Sequence, residues 1–304
     1  MPSSAFALDT LSEHLAEIAH SAATRIVAIH GRGRTSSSGI IWRPGFIVTA
    51  EEALEADEDL SITHPNGTQI AAHLVGRDPS TDVALLRIED RSVTDSTLGT
   101  TTALQVGHLA LAVGRRSEGL SATLGIIALA GGPWRSLRGG FIDRLLHLDL
   151  RLDPRSEGGA ALDAGGRLIG MTVFGPRGRV LLIPSETIER VAQHLLEHGR
   201  IARGYLGLGL QPVRIDPAIA QASGLAEPRG LMAISVDPDG PGRNAGLRQG
   251  DILVSWNGEA LRSVRGLHAL LGPESIGQSV ELGVLRAGER TAVTVRVRER
   301  PTPS

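Results

Sequence analysis

Leu8, Leu11, Leu15 and Ile18 recur every three or four residues, which predicts a short amphipathic helix over 8–20. After it the period changes. RIVAIHG (25–31), SGIIWRP (38–44), FIVTA (46–50), LSITH (60–64), IAAHLVG (70–76) and DVALLRI (82–88) are short apolar runs broken by Gly, Pro and Asn-Gly. Asn66-Gly67 marks a hairpin between two of them. Short strands at this density predict a small barrel or sandwich. A second strand-rich stretch follows: LALAVGR (109–115), LSATLGIIAL (120–129), LLHLDLRL (145–152), GRLIGMTVF (166–174) and RVLLIP (179–184). Next comes a helix with Ser185 as its expected N-cap, an apolar stripe of Ile188, Val191, Leu195 and Leu196, and Gly199 as its stop. From about 204 to 299 strands mix with two helices, PAIAQASG and VRGLHALLG.

The length of 304 residues suggests about two domains with ample core. Basic and acidic side chains number 31 and 33, and a net charge of -2 argues against a nucleic-acid partner. Cys is absent, which excludes a thiol nucleophile, disulfides and Cys-based metal sites. Lys is absent too, and with it Schiff-base chemistry and a phosphate-loop lysine. No apolar run approaches the roughly 18 residues of a membrane span. The first residues carry Asp9, Glu13 and Glu17 rather than a basic then apolar signal, so a cytoplasmic location is expected.

Five segments in order carry a resemblance: SSSGIIWRPGFIVTAEEAL, DPSTDVALLRI, DPRSEGGAALDAGGRLIGM, GYLGLGL and GPGRNAGLRQGDILVSWNG. Together they resemble the HtrA/DegP family, over about residues 22 to 298. The resemblance implies a mainly β chain, a trypsin-like double β-barrel followed by an α+β PDZ domain. The expected boundaries are an N-terminal helical segment (1–21), the double barrel ending in a helix (22–200), the PDZ domain (201–299) and a tail (300–304).

The positions matching the family's catalytic His and Ser hold Glu52 and Glu157, and only the Asp is kept, as Asp82. Arg155 replaces the Gly two residues before the nucleophile, on the turn that shapes the oxyanion site. Losing the nucleophile or its base costs about a millionfold in turnover in subtilisin. Glu52 cannot stand in for imidazole, because a carboxylate with a pKa near 4 is a poor base at neutral pH and would face Asp82. The chain is therefore expected to be a pseudoprotease, a scaffolding, assembly or regulatory subunit without enzymatic activity. One alternative is a serine-type endopeptidase with a non-standard site, although Ser156 is one residue out of register. His64, His73 and His147 are read as ordinary strand or loop residues. The other alternative is a cation or ligand sensor.

If Glu52, Asp82 and Glu157 converge, their repulsion calls for a raised pKa, an arginine such as Arg151 or Arg155, or calcium or magnesium. Too few ligands are identifiable for such an ion, so no metal or cofactor is expected. Side chains splayed into solvent are the plainer alternative.

The PDZ-like segment implies peptide capture by strand addition. Its loop is Gly204, Tyr205, Leu206, Gly207 and Leu208, with Gly207 turning successive N–H groups onto a terminal carboxylate. Leu206 and Leu208 would line the pocket, Leu267, Leu270 and Leu271 the facing helix, and Arg203 would attract the carboxylate. The expected partners are proteins with a C-terminal or extended hydrophobic peptide. The resemblance also implies a homo-oligomer, a trimer, or a place in a larger complex.

Overall fold

The computed structural model describes residues 4–31, 36–90, 99–225 and 227–301. Two compact units emerge: Met1–Ser136 with Phe141–Ile201, and Leu137–Gly140 with Ala202–Ser304.

The first unit opens with α1 (Ser4–Ala23). Of its predicted stripe only Ile18 is buried, whereas Leu8 and Leu11 stay exposed, so the helix spends just its C-terminal half on the core. Then come β1 (Ile26–His30), β2 (Ser36–Arg43), β3 (Phe46–Thr49), β4 (Leu60–Thr63), β5 (Gln69–Asp78) and β6 (Val83–Ile88). They close into a barrel in the order β1-β2-β3-β6-β5-β4. Gly67, at a φ of 88°, makes the turn between β4 and β5 that Asn66-Gly67 predicts.

The second barrel uses β7 (Leu109–Arg116), β8 (Gly119–Ala130), β11 (Leu146–Asp149), β12 (Ala160–Asp163), β13 (Leu168–Phe174) and β14 (Val180–Pro184). It closes in the order β11-β14-β13-β12-β7-β8. Between β8 and β11 a small hairpin pairs β9 (Trp134–Arg135) with β10 (Phe141–Ile142). Each barrel has its own interior cluster, and a third cluster joins the outward residues of both barrels to Ile18 and to α2 (Ser185–His198). The predicted stripe of α2 faces that cluster through Ile188, Val191 and Leu195. Gly199 ends the helix in the left-handed region at a φ of 73°. Ser185 is not the cap. Pro184 holds that position, and the Ser185 hydroxyl turns inward to the carbonyls of Gly99 and Ile169. Buried carbonyls that need a donor outcompete the helix end.

The second unit holds β15 (Gly204–Tyr205), β16 (Leu208–Arg214), α3 (Pro217–Ala222), β17 (Arg229–Val236), α4 (Pro241–Asn244), β18 (Ile252–Trp256), β19 (Glu259–Ala260), α5 (Val264–Leu270), β20 (Ser279–Arg286), β21 (Glu289–Arg296) and β22 (Arg298–Glu299). Its main sheet runs β16-β17-β18-β20-β21, with β19 on β18, so β16 is an edge strand. The single turn α4 is too short to show a period in sequence. No described helix is long and apolar enough to cross a membrane.

Candidate functional site

The β3–β6 pairing sets Thr49 opposite Ala84, which brings the chain after β3 beside the chain before β6. There the Glu52 N–H donates to Asp82 Oδ1 at 2.8 Å. Asp82 sits at a φ of 58°, a left-handed conformation that Asp tolerates better than most residues. Glu157 arrives from the second barrel. It leaves a 3-10 turn, Pro154–Ser156, and its Oε1 accepts the Phe174 N–H at 2.8 Å. Its carbonyl accepts the Ser38 N–H at 2.9 Å, which ties this turn to β2. Gly158 follows at a φ of 80°, where a Cβ would lie 2.4 Å from the Ser38 carbonyl. Only glycine fits there.

The three predicted acidic residues thus share one electrostatic neighbourhood. Burial pushes Asp82 up to about 7; the Glu52 N–H opposes this, and the charges of Glu157, Glu52 and Glu51 add to the rise. Burial also raises Glu157, against the hydrogen bond from Phe174 and with help from Glu52. Both rises come first from burial, and the neighbouring carboxylates only add to them. Arg155 reaches Glu118 instead, at 3.9 Å. Among the described residues no group of His, Asp and Glu side chains is arranged to hold a metal ion. Glu51 escapes the sequence reading although it stands next to Glu52. It is buried, and Arg77 donates to it at 3.0 Å.

The turn that would form the oxyanion site spends its donors internally. The Arg155 N–H goes to Asp153 Oδ1 at 2.9 Å and the Ser156 N–H to the Asp153 carbonyl at 2.8 Å. The Glu157 N–H goes to the Pro154 carbonyl at 3.3 Å. Ser156 is buried against β7; a Cβ on Gly114 would lie 2.6 Å from its Oγ, and that hydroxyl has no hydrogen-bond partner among the described residues. His64 follows β4 and lies 3.6 Å from Asp90. His73 pairs with Arg87 across β5 and β6, and His147 with Leu181 across β11 and β14.

In the second unit Gly207 has a φ of 72°, and a Cβ there would meet the Gly240 Cα at 2.8 Å. The loop is braced from outside. The Asp237 N–H donates to the Gly207 carbonyl and the Gly242 N–H to the Leu206 carbonyl, both at 2.8 Å. The Gly204 N–H donates to the Leu271 carbonyl at 2.9 Å. The Tyr205 hydroxyl donates to Asp237 at 2.8 Å, a bond that raises its pKa. The N–H groups of Leu206 and Gly207 donate to no other group among the described residues. Leu206, Leu267 and Leu271 belong to the core, while Leu208 and Leu270 are half-buried against it. Leu210 on β16 and Val264 on α5 pack on the same cluster. Sequence reading names neither, although Leu210 stands two residues beyond Leu208 on one strand face. Arg203 is half-buried beside the loop, and its carbonyl accepts the Arg300 N–H.

The family model for a trypsin-like peptidase domain matches residues 37–171, and that for a PDZ domain matches 204–297. The chain belongs to the HtrA/DegP family. A probable periplasmic serine endoprotease DegP-like of Halomonas elongata is 34% identical over 277 residues, covering 88% of this chain and 57% of that protein. The protein of the same name from Bartonella henselae is 32% identical over 266 residues, 84% of this chain and 52% of the relative. This chain thus spans about half the length of the curated relatives it matches. Among solved structures, the HtrA-type protease AlgW with decapeptide superposes with a TM-score of 0.74 at 25% identity, covering 95% of this chain and 99% of that one. The serine endoprotease from Yersinia pestis gives 0.73 at 26%, covering 94% and 98%.

Those names overturn the expectation that the chain is not an enzyme. Its HtrA/DegP relatives are named serine endoproteases and its solved neighbours proteases, so the comparisons point to a protease.

Proposed function

We propose that this chain is an HtrA-family protein that captures C-terminal or extended hydrophobic peptides through its PDZ unit and serves as a serine-type endopeptidase with a non-standard site. The observation that carries the first part is the braced loop with two successive N–H groups unspent, those of Leu206 and Gly207. A carboxylate oxygen is the acceptor such a nest suits. The edge strand β16 offers a peptide its backbone, and the half-buried Leu208 and Leu210 offer it apolar contact. The structures of the HtrA-type protease AlgW with decapeptide and with tripeptide support the same reading. A fluorescent peptide ending in a hydrophobic residue should bind the free-acid form at least about tenfold tighter than its C-terminal amide, about 1.4 kcal/mol. Equal affinities would refute carboxylate capture.

The endopeptidase part rests on the relatives' names and on the raised carboxylates of Asp82 and Glu157, one from each barrel. Casein or a quenched peptide, incubated with purified protein, should be cleaved. Loss of cleavage in both Glu157→Gln and Ser156→Ala would tie it to this turn. A preparation that cleaves neither substrate removes this part and leaves the peptide reading standing. We further propose a homo-oligomer, trimeric by family resemblance, to be measured by multi-angle light scattering.

A further inference from the structure

Away from both sites, the first unit contains a cavity of about 720 Å³ between the end of α1 and the second barrel. Its volume lies within the roughly 300–1,000 Å³ of small-molecule pockets. The walls are largely apolar: Ile40, Leu104, Leu109, Leu162 and Leu168 all line it. Two arginines also line it, in different states. Arg167 is spent, because its Nε donates to Asp163 at 2.8 Å. The Arg25 guanidinium has no hydrogen-bond or ion-pair partner among the described residues.

Arg25 is held in place by its backbone. Its N–H donates to the Ala22 carbonyl at 3.0 Å, and its carbonyl accepts the Ile41 N–H at 2.8 Å. The wall supplied by α1 is fixed as well. His14 Nε2 meets the Ala164 carbonyl at 2.9 Å, and Ile18 packs where a Cβ on Gly166 would be 3.4 Å away. An apolar chamber with one spare positive charge suits a ligand with one negative head and a hydrocarbon body. A half-buried guanidinium gains most from a carboxylate, which it can grip through two parallel hydrogen bonds.

We propose that this cavity binds a single amphipathic monocarboxylate of the fatty-acid class, its head on Arg25 and its chain along the leucine-lined wall. The probe is dodecanoate, titrated calorimetrically into the whole chain below its micelle concentration, beside dodecanol and acetate. Dodecanoate should bind one to one and saturate below 1 mM, about 4 kcal/mol or better, with dodecanol and acetate each at least about tenfold weaker. Arg25→Gln should weaken dodecanoate about tenfold or more, and Arg25→Lys should restore part of the loss. Ala164→Trp, an exposed position at the mouth, should abolish binding while leaving the circular dichroism spectrum unchanged. No saturable heat with dodecanoate, equal binding of dodecanol or of acetate, or an unchanged affinity in Arg25→Gln overturns the proposal. Should Arg25→Gln fail to fold, the dodecanol and acetate arms and Ala164→Trp still decide it.

Discussion

Two turns in this molecule are built alike and used differently. Each contains a glycine forced into the left-handed region, Gly158 at 80° and Gly207 at 72°, with neighbouring backbone too close for any side chain. Each is a loop whose N–H groups could converge on an anion. In the barrel turn the donors of Arg155, Ser156 and Glu157 are consumed by Asp153 and Pro154. In the PDZ loop the carbonyls of Leu206 and Gly207 are pinned from outside and the N–H groups are left over. An anion site therefore depends less on the glycine than on whether something nearby already accepts the donors. The largest test of this contrast is Gly207→Asp, which adds strain, a clash with Gly240 and a negative charge facing the ligand. Peptide affinity should fall about a hundredfold or more, roughly 3 kcal/mol. A variant that binds peptide normally would show that the loop is not the anion site.

The same two units hold opposed aspartates. Asp251 is buried, and although burial pushes its pKa up, the hydrogen bonds from Arg286 and the Arg248 N–H outweigh it and hold it below the usual range. Arg286 reaches it through Nε at 2.8 Å and a terminal nitrogen at 2.7 Å. Asp82 has backbone and other carboxylates for neighbours and moves the other way. The signs of their pH dependence differ accordingly. The stability that Asp251 contributes is present above its unfolded pKa, near 3.8, and is lost as pH falls through its folded pKa. Asp251→Asn should cost about 2 kcal/mol at pH 7, after discounting for the partly exposed Arg286. Asp82 binds its proton more tightly when folded, so its contribution is full below about 3.8 and lost as pH rises towards 7. Asp82→Asn keeps the acceptor for the Glu52 N–H and should raise stability at pH 8 by roughly 1–2 kcal/mol. That gain should vanish at pH 4. Thermal melts of both variants from pH 4 to 8 read out the two slopes, and parallel slopes would remove the contrast.

The strands, both barrels and the PDZ unit were legible because alternation, Gly-rich turns and five ordered motifs are local signals. Positions 52, 82 and 157 were legible as a set for the same reason. Their protonation was not, since it depends on Glu52, Asp82, Glu157 and Phe174 meeting from four separate stretches of chain. The inward turn of Ser185 onto Gly99 and Ile169 escaped for that reason too. Leu206 and Leu267 read equally well as groove or core from their spacing, and only burial separates them from Leu208 and Leu270.

The smallest test addresses the barrel turn directly. Asp153 caps the 3-10 turn by accepting the Arg155 N–H, and it also pairs with Arg116 at 2.6 Å. Removing its side chain leaves the Arg155 N–H without an acceptor while sparing the bond from the Ser156 N–H to the Asp153 carbonyl. Asp153→Ala should therefore cost about 1 kcal/mol, most of it the cap, because a half-exposed ion pair adds little. For a unit of this size the melting temperature should drop by about 2–4 °C. The decisive reading is local. Amide exchange at Arg155 should accelerate in the variant, and exchange at Leu206 and Gly207 should not change. Were exchange at Arg155 to stay slow, the Asp153 side chain would not be what occupies that donor, and the difference between the two turns would need another cause.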